Sequence, residues 1–155
     1  WVQEAQLFPT SSRVGSRFGY SVALIDGVAV VGAPGSFDEK GAAYVYEFEE
    51  VTGKWQFLQV MVYPLIVEGD HFGTSVAIDG DTIIIGAPDY NSGVGGVFVY
   101  TRPSTGGAFI AAQEMLPSEE FTLLAGARFG AAIAVEGNLV VASAPGYDDL
   151  SVYEG

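Results

Sequence analysis

Acidic and aromatic residues come together at three places along the chain: Asp38-Glu39-Lys40, Asp89-Tyr90-Asn91 and Tyr147-Asp148-Asp149. Carboxylates beside aromatic rings suit a sugar, a basic peptide or a bridging cation. Asp38, Glu39, Asp89, Tyr90, Tyr147, Asp148 and Asp149 are therefore the candidate ligand-binding residues. The competing explanation is that they are solvated loop tips, which use the same residue types. Arg17, His71 and Arg128 form a second recurring set, suited either to ringing a central channel or to anchoring a neighbouring carboxylate. His71 is the sole histidine, so a Ser-His-Asp triad would have to be built on it, and no Gly-x-Ser-x-Gly elbow accompanies it. No catalytic residue is assigned, and the expectation is a protein that is not an enzyme.

Composition narrows the classes further. The 155 residues are 49% hydrophobic and 16% charged, which describes a packed chain and not a disordered one. Nineteen acidic against six basic residues give a net charge of −13, which repels phosphate backbones and excludes nucleic acid as a partner. No apolar run reaches the roughly 18 residues of a membrane span. Cysteine is absent, which removes disulfides, thiolate metal sites and a cysteine nucleophile.

The elements that must position these residues repeat. Phe18-Gly19 is followed by Gly32-Ala33-Pro34, Phe72-Gly73 by Gly86-Ala87-Pro88, and Phe129-Gly130 by Ser143-Ala144-Pro145. Phe and Pro stand 16 residues apart each time, and the phrase returns after 54 and then 57 residues. Such a period marks an array of supersecondary units that cannot bury their apolar surfaces alone. Within each unit an alternating run (Tyr20–Leu24, Thr74–Ile78, Ala131–Val135) has large residues on one face and Ser or Ala on the other. Its period of two predicts a strand, and its small face predicts close approach to a neighbour.

An Asp-Gly-type turn then leads to a β-branched run that is apolar on both faces: Val28–Val31, Thr82–Ile85 and Leu139–Ala142. After the Pro a polar loop leads to a third strand (Ala43–Tyr46, Val97–Tyr100, Leu150–Tyr153). Trp55–Met61 and Phe109–Met115 supply a fourth. Four antiparallel strands per unit, radially stacked, make a β-propeller blade.

With its phrase, spacing and strand order, the chain resembles the FG-GAP repeat family, found in the seven-bladed propeller of integrin α subunits. Ser143, in place of a glycine, is the one departure within the phrase. The resemblance implies an extracellular or cell-surface adhesion module whose loops between the second and third strands share a ligand-binding face with the blade-to-blade connections. Those connections carry Arg13, Arg17, Glu68, Asp70, His71, Glu119 and Glu120. It also implies a calcium loop between the first and second strands, but that connection is here a tight turn in all three repeats, too short for six to eight oxygens. No cofactor is expected, and calcium stays open only elsewhere.

The fold class is all-β, with about three blades of four antiparallel strands in one segment, 1–155. Residues 18–61 form blade 1, 72–116 blade 2 and 129–155 an incomplete blade 3. Trp1 precedes Phe18 by the same 17 residues as Trp55 precedes Phe72, so residues 1–7 are expected as an outer strand without a blade of its own, shared with the third. Rings need about four to eight blades. The expected partners are thus a protein or glycan ligand and further blades, from a longer chain or from head-to-tail copies. Two other functions stand beside recognition: structural self-assembly, and the non-catalytic part of a larger extracellular enzyme.

Overall fold

The computed structural model describes residues 5–10, 14–103, 107–117 and 125–147. Two four-stranded antiparallel sheets and one hairpin follow each other along the chain. The first sheet is β1 (Ser21–Ile25), β2 (Val28–Ala33), β3 (Ala42–Glu49) and β4 (Lys54–Met61), ordered as in sequence. The second is β5 (Ser75–Asp79), β6 (Thr82–Ala87), β7 (Gly96–Thr101) and β8 (Ile110–Met115). β9 (Ile133–Glu136) pairs with β10 (Leu139–Ala142). The expected third strand of the last repeat, Leu150–Tyr153, lies outside the described residues.

Each first hairpin closes through two residues, and in repeat 1 both Asp26 (φ 44°) and Gly27 (φ 76°) adopt the positive φ that matches strand twist. A register shift falls at Val45/Tyr46 in repeat 1 and at the corresponding Val99/Tyr100 in repeat 2. The repetition of the sequence thus extends to irregularities that no single residue type announces.

The blades stack face to face, and apolar alternation decides which side chains meet. Val28, Val30 and Val45 of repeat 1 share one core with Phe72, Val76, Ile78 and Ile83 of repeat 2. Ala77, Ile84 and Val97 pack in turn against Ile133, Val135 and Val140 of repeat 3. Burying an aliphatic side chain contributes about 1.5–3 kcal/mol, so equivalent residues that differ in burial are informative. Val76 and Ile78 are 8% and 9% exposed, whereas their counterparts in repeat 1, Val22 and Leu24, are 70% and 67% exposed.

Residues 1–4 of the expected outer strand lie outside the described residues, and Ala5–Leu7 form no strand. Even so, the segment follows the repeat register. Tyr46 donates its hydroxyl to the Phe8 carbonyl (2.6 Å), as Tyr100 does to the Val62 carbonyl (3.1 Å) in the next repeat. Leu7 packs against the Tyr44 and Tyr46 side of repeat 1. Among the described residues no strand lies beside it, and side-chain packing and the tyrosine bond hold the segment.

Candidate binding face

The recurring Phe-Gly and Gly-Ala-Pro residues are the joint between repeats. The Ser21 hydroxyl donates to the Gly73 carbonyl (2.9 Å), and the Ser75 hydroxyl donates to the Gly130 carbonyl (2.6 Å). Those carbonyls lie where a Cβ would stand on Gly32 or Gly86, at 2.1 Å in both cases. Glycine is obligatory there because the next repeat's backbone fills the space. Gly73 and Gly130 themselves have φ of 88° and 86°.

Beside this joint, the loop from the second to the third strand makes a short turn, Ser36–Glu39 or Tyr90–Gly93, with a left-handed interior. Phe37, Asp38 and Glu39 have φ of 52°, 57° and 63°, and Asn91 and Ser92 have 52° and 61°. Left-handed dihedrals cost about 1–2 kcal/mol per non-glycine residue, so something must hold the turn. Three backbone donors of the following repeat do so. Gly69 and His71 N–H reach the Glu39 carbonyl (3.1 and 3.3 Å) and Phe72 N–H the Lys40 carbonyl (2.9 Å). Gly126, Arg128 and Phe129 do the same to Gly93 and Val94 at 2.9–3.0 Å. A polar loop is what the sequence suggests here; its left-handed form is set by these donors.

Arg17, His71 and Arg128 sit immediately before the Phe-Gly pairs, with φ of 53°, 55° and 59°. The turns bring carboxylates between them, so five side chains form one row in which basic and acidic groups alternate. Arg17 pairs with Glu39 (3.6 Å), and Glu39 also faces His71 Nε2 (4.0 Å). His71 Nδ1 meets Asp89 (2.7 Å), and Asp89 also pairs with Arg128 (3.3 Å). Of the two roles open to the three basic residues, the geometry shows carboxylate anchoring. Both polar contacts of the His71 ring are carboxylates, and among the described residues no hydroxyl bonds it.

Behind the row lies Asp70, only 5% exposed, whose carboxylate accepts the Val67 N–H at 2.7 Å. Burial raises its pKa, and nearby Asp89 adds to the rise against the opposing pull of the Val67 bond and His71. Among the described residues no three His, Cys, Asp or Glu converge to hold a metal.

The expected ligand residues thus divide. Asp38 and Glu39 are exposed on the left-handed turn. Asp89 is half-buried within the ion-pair row. Tyr90 turns inward, its ring 5.4 Å from that of Phe98, and burial followed by a hydrogen bond with Glu114 pushes its hydroxyl pKa up to about 12. Tyr147 is exposed after the third Pro. Asp148 and Asp149 lie outside the described residues, as do Arg13, Glu119 and Glu120.

Away from this face, Arg102 was not singled out from sequence. Its guanidinium bonds Asp81 (2.6 Å) and Glu47 (3.1 Å) and lies 4.7 Å from the Phe109 ring centre, joining repeats 1 and 2. The two carboxylates outweigh the effect of burial and hold its pKa above the usual arginine value. Arg102 has no like residue in the other repeats, where Phe48 and Gly155 stand in its register, so repetition offered no signal for it.

With the joint in view, comparison with known families is decisive. The FG-GAP repeat family matches residues 1–46 and 66–100, more than half of the chain. The chain belongs to the FG-GAP repeat family. FG-GAP repeats are β-propeller elements, and the two four-stranded sheets are built accordingly. No curated protein matches the chain. Among the described residues no helix is long and apolar enough to cross a membrane.

Proposed function

We propose that this FG-GAP segment is a non-enzymatic recognition module of the extracellular space or cell surface, binding a protein or glycan through the face that carries the left-handed turns. The observation that carries this is the strained turn itself. Two repeats hold several consecutive non-glycine residues in the left-handed region, and in repeat 1 this displays the exposed carboxylates of Asp38 and Glu39. Strain of this kind concentrates where a surface has a task. The row of paired acidic and basic side chains beneath gives that face a fixed polar pattern.

The test is to screen the immobilised chain against a glycan array and a panel of Lys- and Arg-rich peptides, with and without a chelator. Binding that survives chelation and falls at least about tenfold in Asp38→Lys/Glu39→Lys, some 1.4 kcal/mol or more, supports the proposal. Binding that is indifferent to both substitutions places the partner on another face.

A structural role is the second proposal, supported by the leading face of repeat 1. An open groove of about 460 Å³ runs there past Leu7, Val22, Leu24 and Trp55, where repeat 2 has repeat 1 against it. Exposed apolar surface of this kind favours association with further blades.

A further inference from the structure

The joint between repeats occurs twice with the same geometry, and its third occurrence is altered at both positions that matter. The serine donor of the first two repeats, Ser21 and Ser75, is replaced by Ala132. The glycine whose missing side chain makes room, Gly32 and Gly86, is replaced by Ser143. Inside repeat 3 the hairpin is unharmed. Gly130 N–H still reaches the Ser143 carbonyl and Ser143 N–H the Ala132 carbonyl, both at 2.9 Å. The Ser143 hydroxyl instead accepts the Ala132 N–H at 2.9 Å. The change is thus confined to the side that would meet a following blade.

A carbonyl docked there as Gly73 and Gly130 are docked would lie about 2.1 Å from the Ser143 Cβ, judged from its two counterparts. No rotamer relieves such an overlap, because both partners are backbone or Cβ atoms. The carbonyl would also lose its serine hydrogen bond.

The leading edge of repeat 1 is different. Gly19 has φ 89°, like Gly73 and Gly130, and the site of its absent Cβ has no atom within 4 Å. Tyr20, Val22 and Leu24 beside it are exposed.

We propose that the leading edge of repeat 1 docks another FG-GAP blade that carries the serine–glycine pair, and that Ala132 and Ser143 bar the third repeat of a second copy from being that blade. The two residues determine specificity: they prevent copies of this chain from joining head to tail through the mode its own repeats use. The proposal rests on blade docking and is independent of what the loop face binds.

The test compares the 155-residue chain with Ala132→Ser/Ser143→Gly by sedimentation over about a hundredfold range of concentration. The original chain keeps one mass throughout, while the double variant grows into chains or rings with concentration. Excess original chain shortens the variant's assemblies, because it offers a leading edge but no acceptor. Growth of the original chain through a Gly19–Ser143 contact, located by cross-linking, overturns the proposal. A folded double variant that stays at one mass overturns it too. Should the double variant fold poorly, thermal denaturation of single variants decides. Gly86→Ser lowers the midpoint strongly and Ser143→Gly leaves it nearly unmoved; equal effects would refute the assignment.

Discussion

Between repeats 1 and 2 the bridging carboxylate is Glu39; between repeats 2 and 3 it is Asp89, which stands four residues earlier in its loop. In the register of Glu39 the second repeat has Gly93, and in the register of Asp89 the first has Gly35. Gly35 cannot take a side chain, since its Cβ would stand 2.0 Å from the Gly15 carbonyl. Repeat 1 therefore reaches across with a longer side chain from the far end of the turn, and its contacts, at 3.6 and 4.0 Å, are looser. Asp89 lies closer to the row and makes contacts of 2.7 and 3.3 Å. The two joints thus share their backbone contacts to within a few tenths of an ångström and differ in their charges. What the blade interface conserves internally is the seating of a carbonyl; the charge balance is met by whichever loop position has room.

The strongest way to break this comparison is to block the carbonyl seat. Gly86→Ser and Gly32→Ser each place a Cβ into the next repeat's backbone and should cost on the order of 3 kcal/mol or more in urea denaturation. Similar losses from the two confirm that the joints are alike, whereas a large effect at only one would separate them. Next comes Arg102→Ala, which strands Asp81 and Glu47 at the first joint and should cost about 2–4 kcal/mol. Since no counterpart is found at the second joint among the described residues, hydrogen exchange should quicken across residues 42–61 and leave β9 and β10 little changed.

A smaller effect, with a defined sign, belongs to Asp70. Its pKa is raised in the fold, so its ionised form opposes folding once the pH rises through the folded value, and that cost is absent well below about pH 4. Asp70→Asn keeps an acceptor for Val67 and should raise the denaturation midpoint at pH 7. The gain should shrink as the pH falls towards 4 and vanish below it; a gain independent of pH would show that charge is not the cause. Smallest of all is the charge row. Glu39→Gln, at an exposed and loose pair, should change stability by less than about 0.5 kcal/mol. Asp89→Asn, at a tighter and more buried pair, should cost roughly 1 kcal/mol and lose part of that cost in high salt. Equal losses would show that the difference in distance carries no energy.

Much of the architecture was legible from residue types because it depends on local chemistry. Asp26-Gly27 fixes a hairpin by its φ angles, and the alternation of Ser75-Val76-Ala77-Ile78 fixes a two-sided strand. The candidate face was legible only in part. Arg17, His71 and Arg128 were found through register and their carboxylate partners foreseen in kind, but which carboxylates they meet depends on the turn. Within Phe37-Asp38-Glu39 only Asp38 leans toward the left-handed region, and nothing in Phe37 or Glu39 favours it. Tyr90 was equally opaque as a core residue, because Phe98 and Glu114, its partners, come from other strands.

By itself the sequence determined the repeating unit, its strands and its family, because constant spacing between Phe-Gly and Gly-Ala-Pro and the period of two are properties of a single chain segment. The tertiary structure decided why those residues are required. Gly32 and Gly86 are shaped by a carbonyl more than 40 residues away, and only when the blades are stacked does Ser143 change from a near match into an obstacle. Steric exclusion acts between atoms that are neighbours in space, and the linear order of residues does not record it.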